Sequence, residues 1–227
     1  MTLNFLKTRA QMAAHVALSK FNFGLANYRH PDRVAALASI SKARSVAYTA
    51  TTPLECVEIH NGVQAVEKIP GDMAEVGVFR GGTAAVMLNA SHRKHLHLFD
   101  TFAGLPESGD FLKKGEYAGS QESVVRALSA YGDRITLYPG LFPTDTAHLV
   151  ENLRFSFVHL DMDLYDGTLG ALQFFWPRIN PGGILLSHDY PKLNGVVRAF
   201  QEFFVDQPEA TFFPLSGEQC VAFKIKS

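Results

Sequence analysis

The sequence is poor in cysteine: two in 227 residues, Cys56 and Cys220, with no CxxC pair. That excludes a zinc ribbon and a thiol redox motif, disfavours a disulfide scaffold, and reads as two core thiols in a reducing compartment. An excess of either charge is also missing. A formal net charge of −1 gives no basic field for nucleic acid or an anionic membrane, so neither is expected as a partner. Long apolar runs are absent as well; a membrane-spanning helix needs about 18 or more consecutive apolar residues. The opening stretch MTLNFLKTRAQMAAHVALSKF interrupts its apolar residues with Lys7, Arg9, His15 and Lys20. This pattern speaks against a secretory signal and for a cytoplasmic location. No internal repeat and no low-complexity linker stands out.

What the chain does have is apolar material, 47% of its residues, enough for a sizeable core. Leu3, Leu6, Ala10, Ala13 and Ala17 fall at helical spacing, predicting a helix within residues 3–28. His30-Pro31-Asp32 breaks it, and Asp32 suits the cap of a second helix from Arg33. Thr52-Pro53-Leu54-Glu55 is a stronger start signal, with Thr52 as N-cap, Pro53 at the first helical position and Glu55 closing a capping box. That helix should run to about Lys68, weakened at Asn61-Gly62.

From Gly71 onward, short apolar runs near 72–77, 95–100, 134–138, 155–161 and 183–188 alternate with helical segments near 82–91, 121–131, 144–152, 167–177 and 193–205. Alternation of this kind predicts βαβ units and a parallel sheet covered on both faces. The tail ATFFPLSGEQCVAFKIKS reads as a hairpin turning at Ser216-Gly217-Glu218-Gln219, which adds an antiparallel strand. The expected fold is α/β, Rossmann-like and mostly parallel. It has a helical extension over residues 1–50 and a main domain over residues 51–227.

Chemistry concentrates at the predicted strand ends. DMAEVGVFRGGT, residues 72–83, spans a strand-to-helix turn where Gly77 permits close approach and Gly81 and Gly82 leave backbone amides open to a ligand. Its glycine spacing is not G-x-G-x-x-G, which disfavours a nicotinamide dehydrogenase. Asp100 ends the next strand, where an acid can accept from both hydroxyls of a ribose. FSFVHLDMDLYDGT, residues 155–168, runs from a dry strand into Asp161, Asp163 and Asp166. Asp161 falls where the strand leaves the core, while Asp163 and Asp166 are read as caps of the helix near Gly167. LLSHDY, residues 185–190, places His188 and Asp189 at the end of the following strand. Adjacent parallel strands would bring Asp161 and Asp189 to one mouth of the sheet, a carboxylate pair suited to a hard divalent cation such as Mg²⁺. His95, His97 and His159 are read as strand residues.

The segments DMAEVGVFRGGTA, LFDTFAGLPE, GLFPTDT, VHLDMDLYDGT and PRINPGGILLSHDY resemble, in order and spacing, the macrocin O-methyltransferase family, over about residues 48–223. The resemblance implies a class I S-adenosylmethionine methyltransferase fold with a helical N-terminal lid, and metal-assisted O-methylation of a sugar hydroxyl. It implies that Glu75, Gly77, Val78, Gly81, Gly82 and Thr83 bind the methionine part of the cofactor, Asp100 its ribose, and Gly140 and Leu141 its adenosine. Asp161 would be metal ligand and base, and Asp189 a second ligand. The family commonly shows two adjacent aspartates where this chain has His188-Asp189. His188 is thus either a metal ligand, which would favour Mn²⁺, Fe²⁺ or Zn²⁺ over Mg²⁺, or a general base. A homodimer or larger homo-oligomer is expected. The competing readings are a hydroxylase-related enzyme of the same fold and a non-catalytic cofactor-binding subunit; intact Asp161 and Asp189 weigh against the second.

Overall fold

The structure, a computed structural model, describes residues 31–208 and 210–225 together with Ala10, Ala13, Ala14 and Ala17. Ala10, Ala13, Ala14 and Ala17 are helical, as expected within 3–28; the rest of that segment, and with it the lid role, lies outside the described residues. The chain divides into residues 1–35 and 36–227, and the second unit carries the sheet.

The first described helix, α1, is Pro31–Val46. Ala36, Ile40, Ala43 and Ala47, at helical spacing, are buried in the core of the sheet-bearing unit. Helix α2, Pro53–Ala65, starts as its sequence dictates: the Thr52 side chain accepts from the Glu55 amide and the Glu55 carboxylate accepts from the Thr52 amide, with Pro53 in the first turn. The helix passes straight through Asn61-Gly62. A Cβ at Gly62 would stand 2.7 Å from Cε2 of Phe157, so the glycine lets the helix lie on the sheet.

Seven strands follow: β1 Asp72–Val76, β2 Leu96–Asp100, β3 Ile135–Pro139, β4 Phe155–Leu160, β5 Ile179–His188, β6 Ala210–Pro214 and β7 Gln219–Lys224. Between them run α3 Gly82–Ala90, α4 Gln121–Leu128, α5 Tyr165–Phe175 and α6 Asn194–Phe204. The spatial order is β3-β2-β1-β4-β5-β7-β6. Strands β1 to β5 are mutually parallel, β7 runs against β5, and β6 completes the terminal hairpin. All six residues of β4 are buried, as a continuous apolar run in a central strand requires. Alternate strand residues feed two cores: Ala74, Val76, Phe99, Val158 and Leu185 pack with α5 and α6, while Met73, Leu96, Leu98, Phe157 and Leu186 pack with α1 to α4.

Three expectations are corrected. Residues 144–152 hold only a short 3₁₀ turn, Ala147–Val150. Asp145 accepts from the Leu141 amide and its own amide bonds the Leu141 carbonyl, so a local turn takes the place of a helix start. Helix α4 stops at Leu128, and a 3₁₀ segment follows with Gly132 outside helical φ/ψ. Strand β5 begins at Ile179 rather than 183, and its pairing with β4 jumps from Ile179 to Ile184 across Pro181 and the two glycines. Among the described residues, no helix is long and apolar enough to cross a membrane.

Candidate functional site

Order reverses between β1 and β4, the position where an open α/β sheet leaves a crevice beyond its strand ends. A cavity of about 550 Å³ lies there, within the ~300–1,000 Å³ usual for small-molecule sites. Gly77, Asp100, Gly140, Leu141, Asp161, His188 and Asp189 all line it.

The other sequence-predicted residues stand behind this wall. Glu75 is fully buried; its Oε1 lies 2.9 Å from His159 Nδ1, so His159 is more than a strand filler. Strand alternation explains the placement: Val76 shares the cavity side, and Glu75 therefore points to the opposite face. Burial pushes the Glu75 carboxyl above its ordinary range, opposed by His159. Val78 contributes its amide to Asp100 rather than a side chain to the cavity. Gly81 caps α3 with φ +78, and a Cβ at Gly82 would meet Thr49 Cβ and the Tyr48 carbonyl at 2.4 Å. Thr83 is buried in the first turn of α3.

Asp100 is a clamp as well as a wall. Its Oδ2 accepts from the amides of Val78 and Phe79 at 2.7 Å each, and its Oδ1 accepts from the Phe102 amide at 2.7 Å. A carboxylate has about four lone-pair sites, so three are taken before any ligand arrives. Gly77, at φ +90, brings two strand ends together: a Cβ there would fall 1.8 Å from the Asp161 carbonyl oxygen.

The polar end of the cavity gathers more groups than the sequence suggested. His188 Nδ1 lies 2.9 Å from Asp189 Oδ2 and 3.5 Å from Asp161 Oδ1, while its Nε2 lies 3.6 Å from Glu55 Oε2. Burial would lower the His188 pKa. The Asp161 charge and contacts with Asp161, Asp189 and Glu55 outweigh it and raise the pKa far above the ordinary imidazole range. Burial would likewise raise the Glu55 carboxyl; His188, the Glu218 amide and Thr52 instead hold it well below the usual carboxylate range. Burial would raise the Asp189 carboxyl; hydrogen bonds from His188 and Asp163 and the charges of His188 and Lys192 lower it instead.

Asp163 does not cap α5. The N-cap position is Leu164, without a side-chain cap. Asp163 instead lines the cavity, where burial and the charges of Asp161 and Asp189 push its carboxyl up to about 8. Asp166 does lie in the first turn of α5. Asp163 and Asp189 both carry φ of +61. Left-handed backbone at two neighbouring acids is strain of a kind that clusters at functional sites. The D-x-D spacing was the available signal for Asp163. Glu55 had none beyond its capping pattern.

Asp161, His188 and Asp189 each offer a ligand atom, all within 4.8 Å of one another. Two carboxylates and an imidazole fit a divalent cation of borderline softness.

The sequence profile of the family described as macrocin O-methyltransferase (TylF) matches residues 18–211. A tetracenomycin-type 4'-O-methyltransferase of Streptomyces olivaceus, whose substrate carries a 2,3-dimethoxy-rhamnosyl group, is 32% identical over 142 residues, 54% of each chain. The demethyldecarbamoylnovobiocin O-methyltransferase of Streptomyces niveus is 26% identical over 189 residues, 72% of this chain and 71% of that one. The chain thus spans about half the length of the first of these relatives and less than three quarters of the second. Among solved structures, the O-methyltransferase NovP superimposes with a TM-score of 0.66 at 22% identity, covering 79% of this chain and 84% of its own. The calicheamicin methyltransferase CalS11 gives 0.65 at 17% identity, covering 87% and 94%. Likeness at these identities shows the fold: the class I O-methyltransferase sheet.

Proposed function

The chain belongs to the macrocin O-methyltransferase family, and from that membership we propose that it transfers the methyl group of S-adenosylmethionine to a hydroxyl of a sugar, free or carried on a natural product, with the help of a divalent metal. The observation that carries the reading is the convergence of Gly77, Asp100, Asp161, His188 and Asp189 on one cavity at the sheet's switch point. Sugar-bearing substrates in the names of the tetracenomycin and calicheamicin-pathway relatives support the acceptor class.

When bound, S-adenosylmethionine supplies an electrophilic methyl on a sulfonium, and a divalent cation supplies a Lewis acid that lowers the pKa of the acceptor hydroxyl. The chain's own groups do the rest. Asp100 binds ribose hydroxyls with the carboxylate capacity left after its three amide bonds. Gly140 and Leu141 border the adenosine end. Asp161, His188 and Asp189 hold the cation. As the new O–C bond forms and the S–C bond breaks, releasing S-adenosylhomocysteine, the hydroxyl proton passes to a carboxylate oxygen of Asp161 or Asp163, both of which line the cavity. Phe79 and Tyr117 meet edge to face at 5.8 Å in the cavity wall. Holding two reactants in line contributes about 7 kcal/mol or more in well-oriented systems.

The test is a transfer assay with methyl-labelled S-adenosylmethionine over glycosylated natural products, free sugars and nucleotide sugars, with Mg²⁺, Mn²⁺ or EDTA. Label should enter at least one sugar-bearing acceptor and EDTA should abolish it. Turnover undiminished in EDTA would remove the metal from the proposal; label in no sugar-bearing acceptor would remove the acceptor class. The reading also includes a homodimer or larger homo-oligomer in the cytoplasm, and light scattering tests the assembly.

A further inference from the structure

Glu55 lies far from the strand ends in sequence, yet its side chain is tied to three separate elements. Oε2 accepts from the Thr52 amide at 2.9 Å and the Thr52 hydroxyl at 2.7 Å, the capping contacts of α2. Oε1 accepts from the Glu218 amide at 3.0 Å, in the turn between β6 and β7. That turn lies on the carboxylate because position 217 is glycine; a Cβ there would stand 3.0 Å from Oε1. The third element is β5, through His188 Nε2 at 3.6 Å from Oε2.

The two ring nitrogens of His188 therefore look in opposite directions. Nδ1 faces Asp161 and Asp189. Nε2 is buried and has no partner within hydrogen-bonding distance among the described residues; the carboxylate it faces is Glu55. Glu218, the other acid within 4.8 Å, is paired with Lys192 at 2.7 Å. A histidine that ligates a metal through one nitrogen commonly donates the other N–H to a carboxylate, which fixes the ring and its tautomer.

We propose that Glu55 is a positioning residue for His188: it takes the Nε2–H, so that the Nδ1 lone pair is the one presented between Asp161 and Asp189. The inference rests on the reading of His188 as a metal ligand. It assigns the Glu of a helix-capping box a second task, which its place allows because α2 packs directly against the sheet.

Glu55→Gln separates this from capping alone. Thr52, Glu218 and His188 together present more donors than a single amide oxygen can accept, so at least one is left facing an NH₂ group. Two measurements read the outcome: Mn²⁺ affinity of the wild type and Glu55→Gln by electron paramagnetic resonance of the free ion, and ¹⁵N imidazole spectra of Zn²⁺-saturated wild type, with His188 assigned through His188→Gln. The wild type should bind Mn²⁺, Glu55→Gln should bind it about tenfold or more weakly, and the wild-type His188 ring should carry its proton on Nε2. A folded Glu55→Gln variant that binds Mn²⁺ within twofold of the wild type overturns the inference alone, as does a ring proton on Nδ1. Absence of Mn²⁺ binding by the wild type overturns the ligand reading and this inference with it. The ring spectrum needs no change at Glu55, so the inference stays exposed to refutation even where Glu55→Gln does not fold.

Discussion

At Gly77 the missing side chain is what allows β1 and β4 to end side by side, with φ at +90 and the Asp161 carbonyl where a Cβ would be. Gly77→Ala should cost about 3 kcal/mol or more in urea unfolding, since both the backbone conformation and a backbone oxygen oppose it. Asp100→Ala should weaken S-adenosylhomocysteine at least tenfold by calorimetry and lower the melting temperature as well, because it removes charge-assisted bonds of about 1.5–3 kcal/mol each and orphans three loop amides. Glu75 gives a pH signature. Its folded-state pKa is raised above the ordinary value near 4.5, so its contribution to stability is full below that value and is lost as pH rises through the elevated one. Gln cannot titrate. The melting temperature of Glu75→Gln minus that of the wild type should therefore increase from pH 5 to pH 8; a constant difference would contradict the buried, neutral-favouring environment. Legibility at this scale followed strand ends. Asp161, Asp189 and Asp100 were readable as groups at the sheet's mouth because a carboxylate closing an apolar run stands out from it. Glu55 and Asp163 were not, since local capping already accounted for them and their long-range contacts depend on the folded turn geometry. Glu75 was expected as a cofactor contact from the family resemblance alone, and strand parity turns it away from the cavity, onto His159.

Helix α2 shows how a local rule and a packing constraint can oppose each other. Glycine inside a helix costs roughly 1 kcal/mol relative to alanine, so by propensity Gly62→Ala should stabilise. Against that, the new Cβ would press on the Phe157 ring at 2.7 Å. Packing should win, with a net destabilisation of about 1–3 kcal/mol by chemical denaturation; a stabilised variant would show that the ring yields freely. The start of α2, the five parallel strands and the terminal hairpin were legible because caps, apolar runs and turn residues are short-range signals. The segment 144–152 was not, because Asp145 satisfies the Leu141 amide locally, a side-chain choice that apolar spacing does not reveal. The early start of β5 was hidden by Pro181 and two glycines, which read as a turn and prove to be an irregularity within one strand.

The order β3-β2-β1-β4-β5-β7-β6 turns these parts into one site, since it puts the ends of β1, β2, β4 and β5 around a single crevice and closes the far edge with an antiparallel hairpin. A near-neutral chain thereby concentrates carboxylates at one place: Glu55, Asp100, Glu107, Asp161, Asp163, Asp166, Asp189 and Glu218 line the cavity, against His188 and Lys192. Such a surplus suits a cationic cofactor and a divalent ion, the pairing that metal-assisted methyl transfer requires. The most direct test is calorimetric titration of the wild-type chain with S-adenosylhomocysteine and, in parallel, with NAD. The account predicts one-to-one binding of S-adenosylhomocysteine and none of NAD; heat from NAD with none from S-adenosylhomocysteine would contradict it.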